Sequence, residues 1–387
     1  MKKLLQFGAG NIGRSFTGQL FSAAGYVVVF ADVDERLIAA LNEKKAYTVA
    51  VRDKISTDIV VKNVRAIRST DIEAVCREMA DADICATAVG PAILPKLFPV
   101  MAQALTNRGK SIDIILCENL RDAAAITRNG VKGLLPVDFP LDKRLGLVET
   151  SIGKMVPVVP ESVRKQDPLT VYAESYNTLI LDKRGFLNGV PEVAGLSPKE
   201  NMKAWVDRKS FIHNLGHAAL AYFAFETAPQ MVYTWEAVQD VGLRERTREV
   251  MRQAGAWLIK TYPSEFNTEN INAHIEELLD RFGNQALGDT LQRVGRDLQR
   301  KLGPEDRVVG ALKACHEAGL PYHKILTVLN AGLKFTPSDL DGHIYEKDLQ
   351  LVMRLKAEGI NALIGEITGL TGKLLTETLN VIQNRRA

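Results

Sequence analysis

Residues Leu4 to Asp32 read LLQFGAGNIGRSFTGQLFSAAGYVVVFAD, and the order of residue types in this stretch decides the fold of the N-terminal half. Leu4 to Phe7 is apolar enough for a buried parallel strand. It breaks into Gly8-Ala9-Gly10-Asn11-Ile12-Gly13, where a strand must turn sharply into a helix. Gly8 permits the tight turn, Gly10 lets the backbone approach a pyrophosphate that a Cβ would repel, and Gly13 lets the helix lie close against the strand. The phosphates would sit on free N–H groups at the helix start. Gly25 stops that helix, and Tyr26 to Phe30 is a β-favouring run that ends at Asp32. A carboxylate there can accept both ribose hydroxyls but repels a 2′-phosphate, which favours NAD over NADP. The glycine pattern alone is weak; framed by strand, helix, second strand and terminal acid it implies a dinucleotide-binding βαβ unit.

A chain of 387 residues is long for one core and comfortable for two. With a net charge of +3 and 25% charged residues, nothing argues for nucleic acid, while small anionic substrates stay open. Cys76, Cys85, Cys117 and Cys315 form no C-x-x-C pair and no Cys/His cluster of zinc-ligand spacing, so no metal is expected and a reduced, cytoplasmic setting fits. Cys85 and Cys117 read as small buried hydrophobes. His316, His323 and His343 follow no ligand spacing. The first strand begins almost at the N-terminus, leaving no room for a signal peptide, and no apolar run approaches the ~20 residues a membrane span needs. Arg385-Arg386 reads as a solvated tail.

Beyond Asp32 the strand and helix alternation continues. Leu37 to Lys45 and Asp71 to Met79 read as helices, Asp58 to Ile67 as a β-rich stretch, and Asp83 to Val89 and Ile112 to Cys117 as buried strands. In an open parallel sheet, ligands lie outside the carboxyl ends of the strands, so the strand-end residues Gly90 and Asn119 should edge the cofactor crevice. The expected cofactor set is Phe7, Gly8, Ala9, Gly10, Asn11, Ile12, Gly13, Asp32, Ala88, Val89, Gly90 and Asn119. Leu169 to Leu181 reads as extended. Composition changes across Gly185 to Pro198, with three glycines and two prolines, and helical periodicity dominates afterwards. The expected architecture is α/β plus all-α: a Rossmann-type NAD-binding domain over residues 1–190 and a mostly helical substrate domain over 191–387. Its helices are placed at Pro198 to Ala224, Tyr233 to Tyr262, Asn267 to Phe282, Thr290 to Lys301, Pro304 to Glu317 and His323 to Gly332, with two more beyond Tyr345.

The first of those helices contains Arg208-Lys209-Ser210-Phe211-Ile212-His213-Asn214-Leu215-Gly216-His217-Ala218. At about 100° per residue, with Lys209 at zero, His217 falls near ~80° and Asn214 near ~140°, so one broad face carries all three. Alcohol oxidation needs a base for the hydroxyl proton and donors that hold the developing alkoxide while hydride leaves. Lysine, asparagine and histidine can supply these parts, the lysine only if desolvation lowers its pKa toward neutrality. Spacing by itself is equally compatible with a solvated lysine and a satisfied core histidine.

Together with the N-terminal fingerprint, this stretch resembles the polyol-specific long-chain dehydrogenase family. The resemblance is carried by Phe7-Gly8-Ala9-Gly10-Asn11-Ile12-Gly13-Arg14-Ser15, Phe30-Ala31-Asp32-Val33, Thr87-Ala88-Val89-Gly90-Pro91 and Cys117-Glu118-Asn119. It continues in Arg208-Lys209, in Asn214-x-Gly216-His217-Ala218, and in Arg293-Val294-Gly295-Arg296-Asp297. What it implies is a metal-independent, NAD-linked interconversion of D-mannitol 1-phosphate and D-fructose 6-phosphate by a monomer. Lys209 would be general acid/base, Asn214 would polarise the reacting oxygen, His217 would orient the substrate, and Asn119 would be a second oxyanion donor. A sugar phosphate needs a basic handle; Arg293, Arg296 and Arg300 share a face if Thr290 to Lys301 is one helix, and Lys301 lies beside them. Where the family shows a valine-aspartate-arginine run, this chain has Ile152-Gly153-Lys154-Met155-Val156-Pro157, with Lys154 in place of the arginine. Two other functions fit the same residues: a dehydrogenase of a free polyol or hexuronate, and a non-catalytic NAD-binding sensor.

Overall fold

Apolar runs rich in valine, isoleucine and leucine form the strands β1 (Lys3–Phe7), β2 (Val27–Asp32), β3 (Ala46–Val51), β4 (Thr57–Lys62), β5 (Val64–Arg68) and β6 (Ile84–Thr87). They are followed by β7 (Ile112–Leu116), β8 (Leu145–Ser151), β9 (Val171–Ala173), β10 (Leu179–Asp182) and β11 (Leu196–Lys199). This is a computed structural model that describes residues 1–384; the Arg385-Arg386 pair lies outside the described residues. The chain divides into two compact units, Met1–Val206 and Asp207–Ala387.

In the first unit the parallel strands run in the order β5-β2-β1-β6-β7-β8. This is the 3-2-1-4-5-6 order of a dinucleotide-binding sheet, whose ligand crevice opens where the order reverses, between β1 and β6. Period-two alternation sends Leu4, Val28, Phe30, Ala86 and Ile115 into one core layer, and Leu5, Val29, Ala31, Cys85 and Ile114 into the layer on the other face. β10 adds antiparallel to β8 and β11 parallel to β10, while β4, β3 and β9 form a separate three-stranded sheet. The strand β11 lies beyond residue 190 and holds Pro198 in an extended ladder, so the helix expected from Pro198 begins only at Met202.

In the second unit a π-helical turn, Lys209–Asn214, runs straight into the helix Leu215–Thr227, which is buried from Leu215 to Ala224 apart from a partly exposed His217. A helix apolar nearly all round belongs at the centre of a bundle. Glycine makes this possible on one side: a Cβ at Gly216 would lie 2.7 Å from Met251 Sδ on the helix Val241–Thr261. On another side, Tyr222 donates its hydroxyl to the Gly295 carbonyl at 3.1 Å. Around the central helix lie Thr268–Phe282, Val309–Glu317 and His323–Gly332, then Glu346–Glu358, Ile360–Thr368 and Gly372–Asn384. The chain after Tyr345 thus forms three helices where two were expected, because Gly359 (φ +84°) and Gly369 (φ +63°) interrupt the apolar pattern twice.

One element differs in a way that matters for the site. The stretch Thr290 to Lys301 is two short helices, Leu291–Gly295 and Leu298–Lys301, broken at Arg296-Asp297. Asp297 is left-handed (φ +74°), and the Asp348 carboxylate accepts N–H bonds from Asp297 at 2.8 Å and Leu298 at 2.7 Å. The expected shared face of Arg293, Arg296 and Arg300 therefore does not exist. Among the described residues, no helix is long and apolar enough to cross a membrane.

Candidate active site

The nucleotide half of the site is built at the end of β1. Gly8 takes φ +89°, and a Cβ there would meet the Ala88 carbonyl oxygen at 2.6 Å, so β1 can run this close to the end of β6 only with glycine. A Cβ at Gly13 would meet the Gly8 carbonyl oxygen at 2.1 Å, while one at Gly10 would meet nothing within 4 Å. The three glycines thus divide as the sequence suggests, turn and packing at Gly8 and Gly13, open approach at Gly10. The helix after them differs: Gly13–Gly18 is π-helical before Gln19–Ala23 becomes regular. Asp32 Oδ2 accepts the Ala9 N–H at 2.6 Å, and Oδ1 accepts those of Val33 and Asp34 at 2.7 and 3.0 Å. These bonds fix the carboxylate beside the glycine turn. Ala9, Gly10, Asn11 and Asp32 line one cleft of ≈470 Å³ with Arg14, Asp34, Arg36, Leu37, Glu161, Arg164, Lys165 and Pro168. Phe7 is buried in the sheet and Ile12 half-buried, whereas Asn11 is exposed.

Two residues not singled out from sequence hold this half together. Arg14, nearly buried, donates through Nε to the Ala9 carbonyl at 2.6 Å and through Nη1 to the Leu169 carbonyl at 2.8 Å, clamping the glycine turn to a distant loop. It stood in the quoted fingerprint, but nothing local said that it turns inward. Glu118 is buried and accepts Thr87 Oγ1 at 2.6 Å and the Val89 N–H at 3.1 Å, tying the end of β7 to the end of β6. Burial pushes its carboxyl pKa up. This tie sets Ala88, Val89 and Gly90, all half-buried, beside the exposed Asn119 that follows Glu118. Lys154 is buried too, donating to Asn177 Oδ1 at 2.7 Å with its ammonium 5.2 Å from the Phe16 ring centroid. Burial lowers its pKa to about 8. An arginine's larger fork would have to fit the same enclosed place.

The second unit carries the other constellation on the π-turn. The Leu215 N–H reaches back five residues to the Ser210 carbonyl, which is the bond that defines π geometry. The wider π winding brings Asn214 closer to the Lys209 side of the turn than the ~140° offset of regular α winding would. Lys209 and Asn214 are partly exposed. Burial, and second to it the nearby Arg307 guanidinium, lowers the Lys209 pKa to about 7. His217 stacks on Phe282 with ring centroids 3.8 Å apart at 20°, and packs edge-on to His213 at 5.3 Å. Its Nε2 is buried and has no hydrogen-bond partner among the described residues. Burial first, then Arg293, Lys301, Arg307 and Arg281, holds its pKa well below the usual value, so the ring is neutral.

The four basic residues read as a phosphate handle are engaged in different ways. Arg293 pairs with Asp289; Arg296 is exposed, 5.5 Å from the Tyr345 ring centroid; Arg300 is exposed and bonded to Asp297 and Asp306. Lys301 is buried and donates to the Val294 carbonyl at 2.6 Å across the helix break, its pKa driven down by burial. Elsewhere, Asp339, Asp341 and His343 bring ligand-type atoms within 4.8 Å of one another on an open loop, where Asp339 already caps the Asp341 and His343 N–H groups.

A 3-2-1-4-5-6 parallel sheet with a glycine turn at its switch point, joined to a helical unit with a π-turn lysine, defines a dinucleotide-binding dehydrogenase class. Residues 2–195 match the mannitol dehydrogenase Rossmann domain and residues 201–377 the mannitol dehydrogenase C-terminal domain. The chain belongs to the mannitol dehydrogenase family, whose members are oxidoreductases acting on CH–OH groups. It is 32% identical over 372 residues to the mannitol-1-phosphate 5-dehydrogenase of Halalkalibacterium halodurans, covering 95% of this chain and 96% of that one. Its fold is similar to that of a D-sorbitol dehydrogenase in substrate-free form (TM-score 0.76, 17% identity, 99% of this chain and 93% of the other). It is similar also to the Pseudomonas fluorescens mannitol 2-dehydrogenase in ternary complex with NAD and D-mannitol (TM-score 0.72, 18% identity, 99% and 94%).

Proposed function

We propose that this enzyme interconverts D-mannitol 1-phosphate and D-fructose 6-phosphate with NAD(H), using Lys209 as general acid/base. The observation that carries the chemistry is a lysine with a pKa of about 7 at the start of a π-turn that ends at an asparagine. The phosphorylated substrate is favoured by the 32% identical relative, which spans nearly the whole chain and is named for that reaction.

The residues fit the cofactor. Gly10 leaves open space where a pyrophosphate must approach, and the fixed Asp32 carboxylate stands where an adenosine ribose would present its hydroxyls. When bound, NAD accepts the hydride from the polyol carbon, or as NADH supplies it to the ketose. In oxidation, neutral Lys209 takes the hydroxyl proton; in reduction, its ammonium returns a proton to the carbonyl oxygen. Asn214 donates an amide N–H to the same oxygen, and Asn119 is assigned the second donation, so charge that builds there is met by aligned dipoles. His217, neutral and with Nε2 unengaged by protein, offers a directional hydrogen bond to a neighbouring substrate hydroxyl.

A purified sample monitored by NADH absorbance tests this directly. Fructose 6-phosphate should be reduced with a much higher kcat/KM than fructose or fructuronate. A preference for either unphosphorylated sugar assigns the enzyme to free polyols or hexuronates. A flat trace with every sugar, at intact NADH binding, leaves a sensor. Lys209→Ala should keep NADH affinity and lose about 10²–10⁴-fold in rate, with partial rescue by small amines.

A further inference from the structure

A dianionic substrate needs a receptor near Lys209; of the basic residues that the sequence brought forward, Arg293 pairs with Asp289, Arg300 with Asp297 and Asp306, Lys301 donates to a carbonyl, and Arg296 is exposed. Arg307, also in the second unit, is anchored through Nε and keeps its terminal fork for another group. We propose that Arg307 binds the phosphate monoester of the substrate and is the residue that separates phosphorylated from free ketoses. This assignment rests on the sugar-phosphate reading above and names the group that would enforce it.

Arg307 is 8% exposed, which is unusual for an arginine. Its Nε donates to Asp306 Oδ1 at 2.7 Å, and its backbone N–H donates to the same oxygen at 2.7 Å, which locks the side chain's root. Its two terminal NH2 groups have no acceptor among the described residues. A buried guanidinium with its planar fork unengaged is shaped to take two oxygens of one anion side by side. Asp306 does not neutralise it alone, because Arg300 Nη1 shares that carboxylate at 3.1 Å. The segment also lies against the catalytic turn: a Cβ at Gly310, three residues on, would stand 3.2 Å from Phe211 Cε1 of the π-turn.

The charge pattern points the same way. Arg307 acts electrostatically on Lys209, His217 and Lys301 alike, in each case against protonation. An arginine and two lysines that act on one another and on a neutral histidine are relieved by a bound dianion. An uncharged polyol gives no such relief. The arrangement therefore selects by charge: a phosphate monoester engages the terminal fork as an anion, and a free sugar cannot.

Steady-state kinetics of wild type, Arg307→Gln and Arg307→Lys with fructose 6-phosphate, fructose and fructuronate test the assignment. Compared on the acid plateau of ketose reduction, where Lys209 is an ammonium with or without the guanidinium, Arg307→Gln should raise the KM for fructose 6-phosphate about 10²-fold and shrink the preference for it over fructose by a similar factor. Inorganic phosphate should compete with fructose 6-phosphate in the wild type and lose that ability in the variant. Arg307→Lys keeps a charge without the fork, should fold if the glutamine variant does not, and should lie between the two. A wild-type preference for the phosphorylated sugar that persists in the variants overturns the Arg307 assignment and leaves the proposed function standing. A wild type that prefers fructose or fructuronate removes the proposed function, and the assignment with it.

Discussion

In the proposed role, Lys209 would serve in both directions because its two protonation states are close in free energy near neutrality. Burial disfavours the ammonium, and the Arg307 guanidinium disfavours it further. Polyol oxidation needs the neutral amine, so kcat/KM for mannitol 1-phosphate should rise with pH through an apparent pKa of about 7. Ketose reduction needs the ammonium, so its kcat/KM should fall through the same value. Removing the guanidinium takes away a like charge and makes the ammonium easier to keep. In Arg307→Gln both limbs should therefore move to higher pH, and limbs that stay in place or move down would show that Arg307 does not act on Lys209. The residues of this chemistry differ in how far sequence betrayed them. Lys209, Asn214 and His217 fall within ten positions, and Asp32 closes a strand behind a glycine turn, so each had local context. Arg307 had none: Gly303-Pro304-Glu305-Asp306-Arg307 looks like any charged surface turn, and only packing reveals that its guanidinium is enclosed. Arg14 and Glu118 were hidden in the same way, since their inward turn depends on acceptors and donors far along the chain.

At the scale of the element, two departures from regular helix shape the site. The π-turn adds a residue to the winding at Lys209–Asn214, and no side-chain periodicity announces such an insertion. The break at Arg296-Asp297 is set by a carboxylate from another helix, Asp348 on Glu346–Glu358, which accepts both N–H groups of the kink. Apart from Gly295 just before the break, the sequence there is compatible with helix, and the contact that fixes the kink lies some fifty residues away. Asp348 is buried, and its replacement strands those two N–H groups, one of them on buried Leu298. Asp348→Ala should lower stability by roughly 2–3 kcal/mol in denaturant titration. Because Lys301 reaches back across the break to Val294, KM for the sugar should rise as well, while NADH affinity, which depends on residues of the first unit, should hold. Unchanged stability would mean that the kink is held by something other than this carboxylate. The short strands β3 and β11 escaped the sequence reading because runs of six and four residues are too brief to leave a clear alternation, although β3 is paired on both sides.

At the scale of the whole molecule, the long periodic features were the legible ones. The order of parallel strands follows from glycine turns and valine-rich runs, and the helical character of the C-terminal half from its sustained apolar spacing. Composition shifted at Gly185 to Pro198, whereas the compact units part between Val206 and Asp207, because β11 pairs with β10 and draws the intervening chain into the first sheet. That pairing has a testable consequence. The first unit owns two complete core layers, one on each face of its sheet, made from residues within its own span. A unit with its own core should fold alone, provided the cut spares every strand of its sheet. A fragment ending at Val206 should therefore give a cooperative thermal transition and bind NADH. It should show no turnover, since Lys209, Asn214 and His217 are absent. At NADH near a hundred times its Kd, ligand binding should add about 2.7 kcal/mol to the fragment's stability. A fragment ending at Val190 loses β11 and leaves the backbone of β10 unpaired along one edge, so it should melt lower or aggregate. If instead the two fragments behave alike, the last strand contributes nothing to the sheet's stability, and the division of the chain lies nearer the glycine-rich stretch than the packing indicates.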